Sequence, residues 1–175
     1  MNNSEIDFSR VRALAFDVDG VLSANTILLP EVDDQPVRTA NIKDGYALQL
    51  AVRRGLPLAI ITGGKSKAVY QRYRNLGLRD VYQSVSMKLP VYEKWLAQYE
   101  LRDEDVLYMG DDIPDYEIME RVGLACCPAD AAEEIKQIAD YVSPFDGGYG
   151  CVRDVVSRVL KAHGLWMGDK LAFGW

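Results

Sequence analysis

Six short apolar runs, at residues 11–16, 58–61, 81–82, 106–109, 124–126 and 141–142, recur along this chain of 175 residues. Between them, apolar residues keep helical spacing. Tyr46, Ala47, Leu50 and Ala51 form one stripe, closed by Gly55. Val69, Tyr73 and Leu76 form a second, closed by Gly77, and Val91, Trp95, Leu96 and Tyr99 a third. Ile113, Ile118, Met119 and Val122 follow, closed by Gly123, and Val152, Val155, Val156, Val159 and Leu160 line the last. Strands that alternate with helices predict an α/β fold, a Rossmann-like parallel sheet with helices on both faces. Such sheets bind ligands beyond the carboxyl ends of their strands. The polar clusters of this chain fall there.

Length and composition narrow the class. The chain reads as a single domain over residues 1–175, long enough for a proper core. Apolar content of 49% and charged content of 26% are those of a soluble globular protein. No apolar stretch approaches the ~20 residues needed to span a bilayer. The start, Met1-Asn2-Asn3-Ser4-Glu5, lacks both a basic region and an apolar run, so no secretory signal is expected. A net charge of −6 argues against a nucleic-acid partner and makes any anion site a local exception. Cys126, Cys127 and Cys151 lack metal or redox spacing and are read as reduced, packed residues of a cytoplasmic protein. His163 alone represents histidine, so chemistry must run on carboxylates, lysines and hydroxyls.

Two segments break the alternation. Residues 26–29 and 36–42 flank an acidic turn and predict a β-hairpin insert over about 26–42, projecting after the first strand. A hairpin alone is marginal, so it needs something to pack on. The C-terminal segment, about 165–175, carries Trp166, Phe173 and Trp175 among glycines, and is expected to dock on its own domain or a neighbour's.

Four clusters carry chemistry. Asp17 and Asp19 end the first run two residues apart, and so share one face of an extended backbone. Close carboxylates repel unless a cation or a shared proton relieves them, which points to a divalent metal. Thr62-Gly63-Gly64 ends the second run, where glycine amides can approach a phosphate. Lys88 precedes the Trp95 stripe as a compact charge for phosphate oxygens. Gly110-Asp111-Asp112-Ile113-Pro114-Asp115 ends the fourth run with hard oxygen donors that suit Mg2+.

In this order, the clusters resemble the four motifs of the haloacid dehalogenase-like phosphohydrolases, over about residues 12–160. A narrower resemblance rests on Asn41-Ile42-Lys43-Asp44-Gly45-Tyr46 and on Gly147-Gly148-Tyr149-Gly150 followed by Val152-Arg153. These segments, and the short gap after Gly20, are similar to the 3-deoxy-D-manno-octulosonate 8-phosphate phosphatases, which are capless homotetramers with hairpins at the centre. The resemblance implies a capless haloacid dehalogenase-like fold and a sugar-phosphate substrate in lipopolysaccharide precursor synthesis. It makes Asp17 the nucleophile and Asp19 the acid and base. It places Mg2+ on Asp17, the Asp19 carbonyl and Asp111, with Asp112 and Asp115 orienting waters or Lys88. Thr62, Gly63 and Lys88 would hold the phosphoryl oxygens. Several such phosphatases carry arginine where this chain has Lys43, Gly64 and Tyr149. Lys43, Lys65, Lys67 and Arg153 are the basic groups expected to compensate. Two other readings stay open: a phosphatase for a nine-carbon keto-deoxy acid phosphate or another small sugar phosphate, and a non-catalytic tetramerisation module.

Overall fold

Side-chain alternation in the strands builds two cores, one on each face of the sheet. The structure, a computed structural model, describes residues 6–31 and 35–174. Its strands are β1 (Ala13–Phe16), β2 (Leu58–Ile61), β3 (Asp80–Tyr82), β4 (Val106–Met109), β5 (Leu124–Cys127) and β6 (Tyr141–Val142). All pair in parallel, in the order β3-β2-β1-β4-β5-β6. The helices are α1 (Ile42–Arg53), α2 (Lys67–Asn75), α3 (Lys88–Tyr99), α4 (Tyr116–Met119), α5 (Glu133–Ile138) and α6 (Cys151–Ala162). Leu14, Phe16, Ile60, Leu107 and Met109 pack on one side against α1, α2 and α6. Ala13, Ala15, Ala59 and Ala125 face the other side, where Tyr92 and Trp95 of α3 lie against them, fully buried. The small alanines leave room for the two large rings.

The strand order puts β1 beside both β2 and β4, so the chain leaves β1 in one direction and returns on its other side. A crevice opens at the carboxyl ends where the order reverses, and this is where such sheets bind ligands. The parallel sheet with helices on both faces is therefore as expected, and three strand ranges shift by at most two residues. The fourth helical stripe is shorter than its spacing suggests. Residues Ile113–Asp115 form a 3₁₀ turn with Pro114 near its start, α4 adds one turn, and Ile113 is exposed. α5, six residues long, has no sustained stripe in the sequence.

The segment between β1 and α1 pairs sparsely. Leu28 and Val37 exchange both backbone hydrogen bonds as an antiparallel bridge, at 3.1 and 2.9 Å. The expected turn at Val32 to Asp34 lies outside the described residues, as do the N-terminal pentapeptide and Trp175. The returning arm stops at Asn41, not within a strand through residue 42. The Asn41 side chain accepts from the amides of Lys43 and Asp44 and so begins α1. The C-terminal segment docks on its own chain. Trp166 packs edge-on to Tyr46, the Arg153 guanidinium lies over both rings, Arg54 pairs with Asp169, and Tyr46 Oη donates to the Ala172 carbonyl.

α1 and α6 meet over one buried acid. Asp44, 1% exposed, accepts the Arg153 amide of the first turn of α6 at 2.7 Å through Oδ1. Its Oδ2 is buried with no hydrogen-bond partner. Burial pushes its pKa up to about 6, against the pull of the Arg153 and Gly150 amides. A carboxyl whose pKa rises on folding favours the folded state below its ordinary pKa of 3.8, and that contribution is lost as pH rises through about 6. Asp44→Asn keeps the shape and removes the charge. Denaturant titrations from pH 4 to 7 should show the variant gaining stability relative to the parent, levelling off above about pH 6. A pH-independent difference would show that the Asp44 charge is not strained.

Candidate active site

Backbone pairing brings the acids together. The Asp17 amide, just past β1, donates to the Met109 carbonyl at the end of β4 at 3.1 Å. One oxygen of each of Asp17, Asp111 and Asp115 lies within 4.8 Å of the others. Asp115 is fully buried and reached from several sides. Its Oδ1 accepts from Lys88 Nζ at 2.7 Å and Tyr108 Oη at 2.5 Å, and its Oδ2 from the Asp111 amide at 3.2 Å. Lys88, the first residue of α3 and 6% exposed, also lies 2.9 Å from Asp17 Oδ2. The Val18 amide donates to Asp17 Oδ1 at 2.6 Å.

Gly20 makes this convergence possible. Its φ of +85° suits glycine, and a Cβ there would fall 1.9 Å from Asp111 Oδ2. The turn after β1 can thus lie against the acid from β4.

The charge is unbalanced. Three carboxylates share one ammonium, Lys88, in a site mostly closed to water. Burial, then Asp115, push the Asp17 pKa up to about 7, with Lys88 pulling it back. Burial, then Asp17 and Asp115, push Asp111 up to about 8. Burial alone would lower the Lys88 pKa, yet Asp115 and Asp17 carry it upward, so Lys88 stays charged. Carboxylate oxygens in this number, short of positive charge, are donors for a hard dication.

Thr62 ends β2 beside this group and is buried. Its amide donates to the Tyr82 carbonyl and its Oγ1 accepts from the Gly64 amide at 3.1 Å, which leaves the hydroxyl proton available. Gly63 is exposed at the same strand end.

Other expected residues sit elsewhere. The Asp19 side chain is outside the acid group. Both its oxygens face Arg38, with Nε to Oδ1 at 2.6 Å and Nη2 to Oδ2 at 2.9 Å. Asp112 is exposed and accepts the Ile113 amide, so it starts the 3₁₀ turn; Asp115 alone of the two bonds Lys88. Lys65 and Lys67 are exposed around α2. Lys43 and Arg153 line a second cavity of ≈ 740 Å³ with Phe145 and Tyr149, and Arg153 is held between Tyr46 and Trp166. Sequence reasoning missed Tyr108 and Arg38. Alternation in β4 could have flagged Tyr108, a polar tip two residues before Gly110. Nothing local in the sequence marks Arg38.

Comparison with known proteins agrees with this geometry. Residues 80–150 match the family model for haloacid dehalogenase-like hydrolases. The chain is 39% identical over 154 residues to the 3-deoxy-D-manno-octulosonate 8-phosphate phosphatase KdsC of Escherichia coli strain K12, covering 88% of this chain and 81% of that one. It belongs to the haloacid dehalogenase-like phosphatases. Among solved structures, the 3-deoxy-D-manno-octulosonate 8-phosphate phosphatase of Yersinia pestis superposes with a TM-score of 0.86 at 35% identity, over 94% of this chain and 86% of that one. The enzyme of that name from Moraxella catarrhalis, solved with magnesium, phosphate and KDO, gives 0.86 at 29% identity, over 91% of each chain. As a haloacid dehalogenase-like phosphatase, the protein is a phosphoric monoester hydrolase. No helix among the described residues is long and apolar enough to cross a membrane.

Removing Lys88 would leave buried carboxylates uncompensated. Lys88→Ala should cost about 3–5 kcal/mol at pH 7, the scale for breaking a buried ion pair from one side. Urea unfolding without divalent cations measures it. A cost below about 1 kcal/mol would show that the ammonium is not what offsets these acids.

Proposed function

We propose that the protein is a Mg2+-dependent phosphatase that hydrolyses 3-deoxy-D-manno-octulosonate 8-phosphate to the free sugar acid and phosphate. The observation that carries this reading is the buried group Asp17, Asp111 and Asp115 around Lys88 at the crevice between β1 and β4. The substrate follows from the similarity to KdsC and to the Moraxella catarrhalis enzyme solved with KDO. The same similarity supports a place in the synthesis of lipopolysaccharide precursors, in the cytoplasm.

The chain's own residues divide the work. A carboxylate oxygen of Asp17 attacks phosphorus, and the bond from phosphorus to the sugar oxygen breaks. Asp19 gives its proton to that oxygen as it leaves. It then takes a proton from the water that attacks the aspartyl phosphate, freeing inorganic phosphate and restoring Asp17. Lys88, held by Asp115, with the Thr62 hydroxyl and the Gly63 amide, would face the phosphoryl oxygens, where charge spreads in the transition state. Asp17 and Asp111, with the main-chain carbonyl of Asp19, would hold Mg2+, which when bound supplies the positive charge that lets a phosphate approach these acids. Asp115 is less suited as a ligand, because both its oxygens already accept hydrogen bonds. Lys65, exposed before α2, and Lys43, which lines the second cavity, would offer positive charge to the sugar acid.

A panel of sugar phosphates assayed with Mg2+ tests the substrate. The eight-carbon acid phosphate should give the highest kcat/KM, and Asp17→Asn and EDTA should each remove turnover by at least about 10³-fold. A preference for a nine-carbon homologue would revise the substrate alone, whereas activity retained by Asp17→Asn would refute the aspartyl phosphate.

The same reading makes the protein a homotetramer. Leu28, Leu29 and Val37 of the bridged segment are 71%, 76% and 50% exposed, apolar area suited to a second copy. Sedimentation equilibrium should give four times the chain mass of 19.6 kDa; a monomer at micromolar concentration would contradict it.

A further inference from the structure

Arg38 holds the one catalytic candidate that stands apart from the buried acids. Its guanidinium meets both oxygens of Asp19 in a parallel two-point contact, at 2.6 and 2.9 Å, and its Nη1 donates to the Pro36 carbonyl at 3.3 Å. The Arg38 side chain is only 8% exposed while that of Asp19 is 38% exposed. The arginine is thus the more buried partner, and the Asp19 carboxylate keeps part of its surface open. An aspartate free to turn about two bonds would spend much of its time misaligned; a planar fork fixes both the position and the plane of the carboxylate.

Two other features serve this contact. Val37, next to Arg38, is locked by its paired hydrogen bonds to Leu28. Position 64 carries no side chain, and a Cβ there would lie 2.8 Å from Arg38 Nη2 and 3.2 Å from Asp19 Oδ2. The glycine beside Thr62 is therefore the space in which the pair sits.

We propose that Arg38 is the positioning residue for Asp19, acting on the transfer of a proton to the leaving oxygen and not on the phosphate itself. This deepens the phosphatase reading and rests on it. In the step concerned, the Asp19 proton goes to the ester oxygen as its bond to phosphorus breaks and the bond from Asp17 to phosphorus forms. Arg38 exchanges no atom; it sets where the proton is delivered. All three guanidinium nitrogens are engaged within the chain, so a direct contact with substrate is the weaker account.

The experiment compares two leaving groups. An alkyl phosphate needs a proton at the leaving oxygen, whereas nitrophenolate departs from an aryl phosphate as the anion. The ratio kcat/KM reports steps up to that departure and excludes hydrolysis of the aspartyl phosphate. Arg38→Ala should lower kcat/KM for the sugar phosphate by about 10–10²-fold, part of the ~10²–10⁴ that general acid catalysis supplies. For nitrophenyl phosphate, the loss should be under about threefold. Arg38→Lys should fall between, since an ammonium makes a single-point contact. Arg38→Met, which keeps the length and apolar stem of the side chain and removes the fork, should show the same split and covers the case in which Arg38→Ala fails to fold. In an Asp19→Asn background, Arg38→Ala should cost nothing further. Equal losses on both substrates, or a further loss in the Asp19→Asn background, would overturn the proposal. Absence of phosphate release by the unmodified enzyme from either substrate would instead overturn the phosphatase reading.

Discussion

A shortage of positive charge at one buried point governs this molecule. Three carboxylates from β1 and β4 lie within 4.8 Å of one another and share the ammonium of Lys88. Repulsion among them is severe in a medium of low polarity. Protons are drawn up onto Asp17 and Asp111 in the absence of another cation. The fold keeps this arrangement because many independent contacts enforce it. The strand pairing of β1 with β4, the closed turn at Gly20, the Tyr108 hydroxyl and the Asp111 amide all act on the same small volume. A site that must draw in a dication gains from such stored mismatch, since the ion relieves it.

The site also separates two acids by environment. Asp17 is nearly closed off, with Lys88 as its charged partner, while Asp19 keeps part of its surface open and has a buried guanidinium as its partner. Two residues apart in sequence, they occupy different surroundings and so can do different chemistry. This division depends on the segment between β1 and α1, whose Val37 bridge delivers Arg38 from nineteen positions downstream.

Much of this was legible in the residues. The runs ending in Asp17, Thr62 and Gly110-Asp111 close three adjacent strands, so alternation alone placed the clusters at one edge. Lys88 was recognisable through the family resemblance, because an isolated lysine before an amphipathic stripe has no local signature of burial. Three things were less readable. The fourth stripe ran through Pro114, where a 3₁₀ turn, with Asp115 drawn inward to Lys88 and Tyr108, cuts it short. The partner of Asp19 depends on a long-range approach that spacing does not encode. The C-terminal segment offered apolar residues without a periodicity; its seat against Tyr46 and Arg153 is set by tertiary packing.

The small strand residues of one core have a distant effect. Ala13, Ala15 and Ala59 form a floor of small side chains beneath Tyr92 and Trp95, whose rings fill the space between strands and α3. Lys88 stands at the start of that helix, so the seating of the helix on the strands governs its contacts with Asp17 and Asp115. Methyl groups of the strands thus act as spacers for the buried charges. A bulkier residue at Ala15 would lift the helix like a shim under a beam, and the ammonium would lose its seat without any change at the strand ends.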